Sequence, residues 1–276
     1  MVKNKLWEES DPPSRLKLTM YPLLRKSFRP GNHTIIFLHM PKAAGMSLNA
    51  ILKKQYGADR ILEVDPKRPR KAYLDIVNMP VWVALKLRGI SGHAIWEIHK
   101  WLPKPFVYMT VLRDPVERVL SFYSYVAASP SHHLYTKMMN DNMKLDDFLD
   151  WSESTFETSN LQTKLLSSSN PFYETYMPDA FERARRNLEK YFLVGLAEQF
   201  GKSLEMFSSV FDWMDPQITY ENVTPNRVNR KDLPVHTIRK IEAFNKYDME
   251  LYEIGVRLFK EQLYDPRSAS EQKIIR

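Results

Sequence analysis

The chain of 276 residues contains no cysteine. Disulfides, thiolate nucleophiles and Cys-ligated zinc or iron–sulfur centres are therefore excluded. Glycine is scarce, at 8 residues, and there is no long polar run of low complexity, so most of the chain is expected to fold. The first thirty residues hold no apolar stretch long enough for a signal peptide or a bilayer span. The expectation is a soluble, cytoplasmic protein without a membrane span. What is present is a modest cationic excess, 40 Lys+Arg against 33 Asp+Glu, or +7. That excess favours acidic substrates or phosphorylated cofactors. No nucleic-acid partner is expected, and the sequence leaves the oligomeric state open.

Residues 1–30, with Asp11-Pro12-Pro13, read as an extended arm. Residues 31–262 read as a single domain, and 263–276 as a polar tail. Within the domain, apolar and β-branched runs alternate with amphipathic segments. Thr34–His39, a run near 88–91, Phe106–Leu112 and Tyr191–Leu196 suit buried strands. Gly45–Tyr56, the segment after Pro115, Asp179–Lys190 and Ser203–Phe211 suit helices. Ile238, Ile241, Phe244, Leu251, Ile254 and Leu258 would line one face of a single long C-terminal helix. This alternation predicts an α/β fold of three layers, P-loop-like, with a mainly parallel central sheet flanked by helices. Ligands of such sheets sit at the carboxyl ends of the strands.

Two strand ends carry the chemistry. After the first strand comes Pro41-Lys42-Ala43-Ala44-Gly45-Met46-Ser47, a small-residue turn opening a helix. Small residues let the backbone approach a ligand, and the helix start presents free N–H groups to an anion. The turn lacks the first glycine and the adjacent Lys-Ser/Thr pair of a Walker A loop. Taken alone, it could be an ordinary turn capped by Ser47. The second strand ends in Leu112-Arg113-Asp114-Pro115, and Ser121 follows two helical turns on. A basic side chain closing a buried apolar strand, together with the first turn, describes a site for a ligand with two separated anionic groups.

These segments resemble the cofactor signatures of sulfotransferases that use PAPS, 3′-phosphoadenosine 5′-phosphosulfate. Among them the likeness is to carbohydrate enzymes of the heparan-sulfate 2-O type and their soluble bacterial relatives. The resemblance extends over roughly residues 33–260. It also takes in Ser91-Gly92-His93, Leu193–Phe200, Asn222–Arg227 and Asp248–Tyr252. It implies that Lys42, Ala43, Ala44, Gly45, Met46 and Ser47 hold the 5′-phosphosulfate, that Arg113 and Ser121 hold the 3′-phosphate, and that the loop ending at Arg227 closes over the cofactor. His93 would be the catalytic base and Lys42 would steady the leaving group. The product would be 3′,5′-ADP, the acceptor a hydroxyl of a carbohydrate, and no metal would be needed.

A histidine suits base catalysis because its unperturbed pKa, about 6.5, lies near operating pH. Of the seven histidines, His39 reads as a packed strand-end residue and His99 as a weaker candidate. Asn160, Gln162, Lys164, Arg88 and Glu97 are conceivable acceptor contacts, and the tryptophans are more in keeping with core than with sugar stacking. Two further readings stay open at this level: an ATP-dependent P-loop-like kinase, and a non-catalytic polyanion binder on the same scaffold.

Overall fold

The computed structural model describes residues 32–64, 69–93, 95–151, 155–167, 176–216 and 227–266, together with Met20, Lys273 and Ile274. The proposed arm (Met20 apart), most of the proposed tail and residues 222–226 of the late loop lie outside the described residues.

Five strands form one sheet: β1 (Thr34–Leu38), β2 (Ile61–Glu63), β3 (Gly89–Gly92), β4 (Phe106–Leu112) and β5 (Phe192–Leu196). Their order is β2-β3-β1-β4-β5, and every neighbouring pair is parallel. Parallel strands covered by helices on both faces read as continuous apolar runs. Accordingly every residue of β1, β4 and β5 is buried. The helices that shape the site are α1 (Gly45–Tyr56), α2 (Pro115–Ala127), α3 (Leu161–Ser167), α4 (Met177–Tyr191), α5 (Phe200–Phe211), α6 (Val235–Phe244) and α7 (Lys246–Tyr264). Gly57 ends α1 at φ 88°, as its position suggested. Asp114 caps α2 by accepting from Glu117 N, with Pro115 in the first turn.

The expected single C-terminal helix is two, α6 and α7. The apolar spacing runs through the break, but Asn245 leaves helical geometry at φ −114°, ψ 28°. Its side-chain amide donates to Thr158 O at 2.7 Å and to Ile241 O at 2.9 Å. A side chain that satisfies backbone carbonyls in this way competes with the helix ladder.

The strand order explains where a ligand goes. From β1 the chain crosses to β2 and β3 on one side, and from β4 it crosses to β5 on the other. The turns after β1 and β4, adjacent strands, therefore diverge and leave a crevice at the switch point. Among the described residues, no helix is long and apolar enough to cross a membrane.

Candidate active site

The turn after β1 is tight and holds two non-glycine residues in left-handed geometry, Lys42 at φ 67° and Ala44 at φ 60°. Such positions cost free energy and persist where the surroundings impose them. Ala44, not Ser47, occupies the cap position of α1, and no side chain caps that helix start. Ser47 is instead buried within the first turn of α1. Gly45 has a steric reason: a Cβ there would lie 1.8 Å from Cδ2 of His39.

The His39 ring stacks on Phe37 at 5.5 Å and packs against His93 at 4.5 Å. Burial, reinforced by His93 and Lys42, lowers its pKa to about 3, so it stays neutral. Its backbone carbonyl lies 2.6 Å from His93 Nδ1. A carbonyl can only accept, so His93 carries its proton on Nδ1, and in the neutral ring Nε2 keeps a lone pair. Burial also lowers the His93 pKa, while the bond to the His39 carbonyl opposes that shift.

Lys42 extends over the ring of Tyr125, its Nζ 3.9 Å from the centroid. Its pKa is lowered to about 8, first by burial and then by Arg113 and Arg227. Arg113 reaches across from the other turn and donates from NH1 to Lys42 O at 2.6 Å. Arg227 pairs with Glu117, yet its Nε is buried without a partner among the described residues. Three cations thus face one another and raise each other's cost of charge. The nearest carboxylate to Arg113 is Glu198 at 3.9 Å, so it does not pair with Asp114 or Glu117.

Ser121 does not face bulk solvent; it is buried on α2. Glu117, Ser121, Ser124 and Tyr125 share one face of that helix by their spacing. Arg227 sits on Glu117, Val228 N donates to Ser124 Oγ at 3.1 Å, and Lys42 lies on Tyr125. Ser121 is therefore flanked by the groups that carry Arg227 and Lys42.

Below the second turn is a polar knot that sequence reasoning did not find. Gln162 accepts from Arg113 N at 3.0 Å and donates to Arg113 O at 2.9 Å, clamping that residue's backbone. Asp248, fully buried, accepts from Gln162 N, Thr163 N and Thr163 Oγ1. Asn160 Oδ1 accepts from Tyr247 N and Asp248 N, and Asn160 N donates to Asn245 Oδ1. Asn160 and Gln162 are thus internal supports rather than acceptor contacts. Glu198 joins from the 3-10 turn after β5 (Ala197–Gln199), accepting from Asp114 N at 3.0 Å and Tyr252 OH at 2.8 Å. The segments 193–200 and 248–252 singled out in the sequence therefore meet at the second turn.

Other sequence candidates lie elsewhere. Arg88 rests over Tyr56, Glu97 pairs with Lys100, and His99 contacts Tyr108 OH at 2.8 Å. Trp96, Trp101 and Trp213 are core residues. The described residues hold no cluster of His, Asp and Glu arranged to bind a metal.

Compared with known protein families, the chain matches the Sulfotransferase family over residues 25–254. The chain belongs to the sulfotransferase family. Heparan-sulfate 6-O-sulfotransferase 1 of Homo sapiens is 26% identical, the match covering 84% of this chain and 67% of that protein. Heparan-sulfate 6-O-sulfotransferase 1-B of Danio rerio is 23% identical, over 89% of this chain and 71% of its own length. These relatives are 6-O enzymes, whereas the motif likeness drawn from sequence was to the 2-O type. Family membership sets the kinase reading aside. This sulfotransferase thus keeps its cationic turns and His93 at the same end of the sheet, at the crevice.

Proposed function

We propose that the protein transfers the sulfuryl group of PAPS to a carbohydrate hydroxyl, with His93 as general base. The tautomer that the His39 carbonyl imposes on His93 carries this reading, because it leaves Nε2 able to take a proton. The residues of the crevice also fit the donor. Lys42 has no carboxylate partner among the described residues, and Arg227 Nε is buried and unpaired. An anion with two phosphate-bearing ends would relieve both. When bound, PAPS supplies an activated sulfuryl group on a phosphate leaving group.

His93 Nε2 accepts the acceptor's hydroxyl proton as the oxygen attacks sulfur in line, and its lowered pKa keeps it neutral below the usual histidine range. Lys42 stabilises the negative charge that develops on the phosphate oxygen bridging to sulfur. Arg113, Ser121 and Arg227 bind and orient the 3′-phosphate, while the turn from Ala43 to Ser47 takes the 5′ end. The carbohydrate acceptor rests on the relatives, whose names specify heparan sulfate.

Calorimetric titration with 3′,5′-ADP tests the assignment. Arg113→Ala should bind it at least tenfold more weakly, as the loss of a charge-assisted fork implies. His93→Ala should bind it normally yet lose transfer by about a hundredfold or more. Undiminished affinity in Arg113→Ala would sink the donor site.

A further inference from the structure

A cavity of about 520 Å³ opens between the segment that follows His93 and helix α4, a size within the roughly 300–1,000 Å³ of small-molecule sites. Trp96, Lys100, Arg183, Arg186, Asn187 and Tyr191 are among the residues that line it. It is not the donor crevice. Trp96 packs on Tyr108 and Phe192, at 5.0 and 5.7 Å. Those two are register partners in β4 and β5, four positions before the Leu112–Leu196 pair at the strand ends. At about 3.3 Å per residue the cavity wall lies about 13 Å back along the sheet.

Its chemistry is mainly cationic and aromatic, with Glu97 as the one carboxylate of the lining, set against Lys100. Arg183 is half-buried, with no ion pair or hydrogen bond among the described residues. Among the described residues, Arg186 engages only its Nε, on Glu182 O at 3.2 Å, and its terminal N–H groups find no partner there. Lys100 is shared with Glu97 at 2.6 Å. Asn187 donates its amide to Leu166 O, which leaves its side-chain oxygen to accept. The rings of Trp96 and Tyr191, 5.4 Å apart, form a fixed wall. Forked donors for a carboxylate or sulfate, an acceptor for a hydroxyl and an aromatic wall for a ring together describe a subsite for an acidic sugar.

We propose that this cavity binds an acidic sugar residue of the acceptor chain, remote from the hydroxyl that receives sulfate. It would select for acceptor charge and length. The segment lining it begins just after His93, so one extended chain could follow it between the two sites. The proposal rests on the carbohydrate-acceptor reading above.

The test is calorimetry with a heparin hexasaccharide on the parent protein, Arg183→Gln/Arg186→Gln and Arg183→Glu/Arg186→Glu, with Lys202→Glu, exposed on α5, as the net-charge control. The double variants should bind the hexasaccharide about tenfold more weakly or worse. Their KM for heparan sulfate should rise in proportion, while kcat and affinity for 3′,5′-ADP hold. Equal hexasaccharide affinity in the parent and both double variants overturns the proposal, as does an equal loss in Lys202→Glu. Displacement of the hexasaccharide by inorganic sulfate at the same concentration would show a small-anion site and overturn the sugar assignment. Intact transfer to saccharides with unaltered double variants removes the cavity alone; no transfer to any saccharide removes the acceptor reading and this proposal together.

Discussion

Two neighbouring regions treat their polar groups in opposite ways. In the knot of Asn160, Gln162, Asn245 and Asp248, buried donors and acceptors find one another. A few ångströms on, Lys42, Arg113 and Arg227 are gathered with more positive charge than the adjacent carboxylates offset. A satisfied network specifies a shape, because each lost partner leaves a costly orphan. An under-compensated one stores affinity, because a ligand removes the repulsion when it arrives. Gln162 connects the two, held by Asp248 on its backbone side and holding Arg113 with its amide.

The contrast can be broken most sharply in the knot. Asp248→Ala orphans Gln162 N, Thr163 N and Thr163 Oγ1 and removes the carboxylate facing the buried guanidinium of Arg118. A loss of about 3–5 kcal/mol in unfolding free energy is expected, measured by urea denaturation. Loss of donor affinity without loss of stability would reverse the roles assigned to the two regions. Gly45→Ala comes next. Its new Cβ must displace the His39 ring, at about 1–3 kcal/mol for overpacking, and transfer should fall further than thermal stability does.

The acid–base behaviour of Lys42 separates affinity from stability within one residue. Its pKa is about 8 in the folded chain and 10.5 in its ordinary state. Between those values the unfolded chain binds more protons, so stability rises with pH through this window. On the proposed role of Lys42, 3′,5′-ADP binds the ammonium form, so its Kd should climb as pH rises through about 8. In Lys42→Met the Kd trend should vanish and the stability slope should lessen without vanishing, because Lys104, whose pKa burial also lowers to about 8, keeps its share; calorimetry and denaturation can follow the two in parallel. The smallest effect is expected for Tyr125→Leu. It removes the ring beneath Nζ, worth about 0.5–1 kcal/mol at such a site. Donor affinity should shift by only a few-fold in a titration.

Four of the strands and the two turns at the crevice were legible because strand, small-residue turn and helix follow one another locally. What was missed joins distant positions. The amide of Gln162 meets a backbone 49 residues away, and Asn160 meets one 88 residues away. Polar residues at such separations look like surface until the fold closes. The break at Asn245 was hidden for a related reason: apolar periodicity continues across it, and the interruption is made by bonds to Thr158. Tyr125 lies one turn beyond Ser121 in the same motif, but only the approach of Lys42, from the turn after β1, shows what it meets.

The bond from Arg113 to the carbonyl of Lys42 spans 71 residues and crosses the seam between β1 and β4. In order of synthesis, the first half of the crevice leaves the ribosome long before the second, and Arg227 later still. Until β4 docks beside β1, neither turn is more than a short cationic loop. On the proposed donor site, capture would be a readout of assembly at the middle of the sheet, and a nascent or truncated chain that ends before Arg113 should be blind to 3′,5′-ADP.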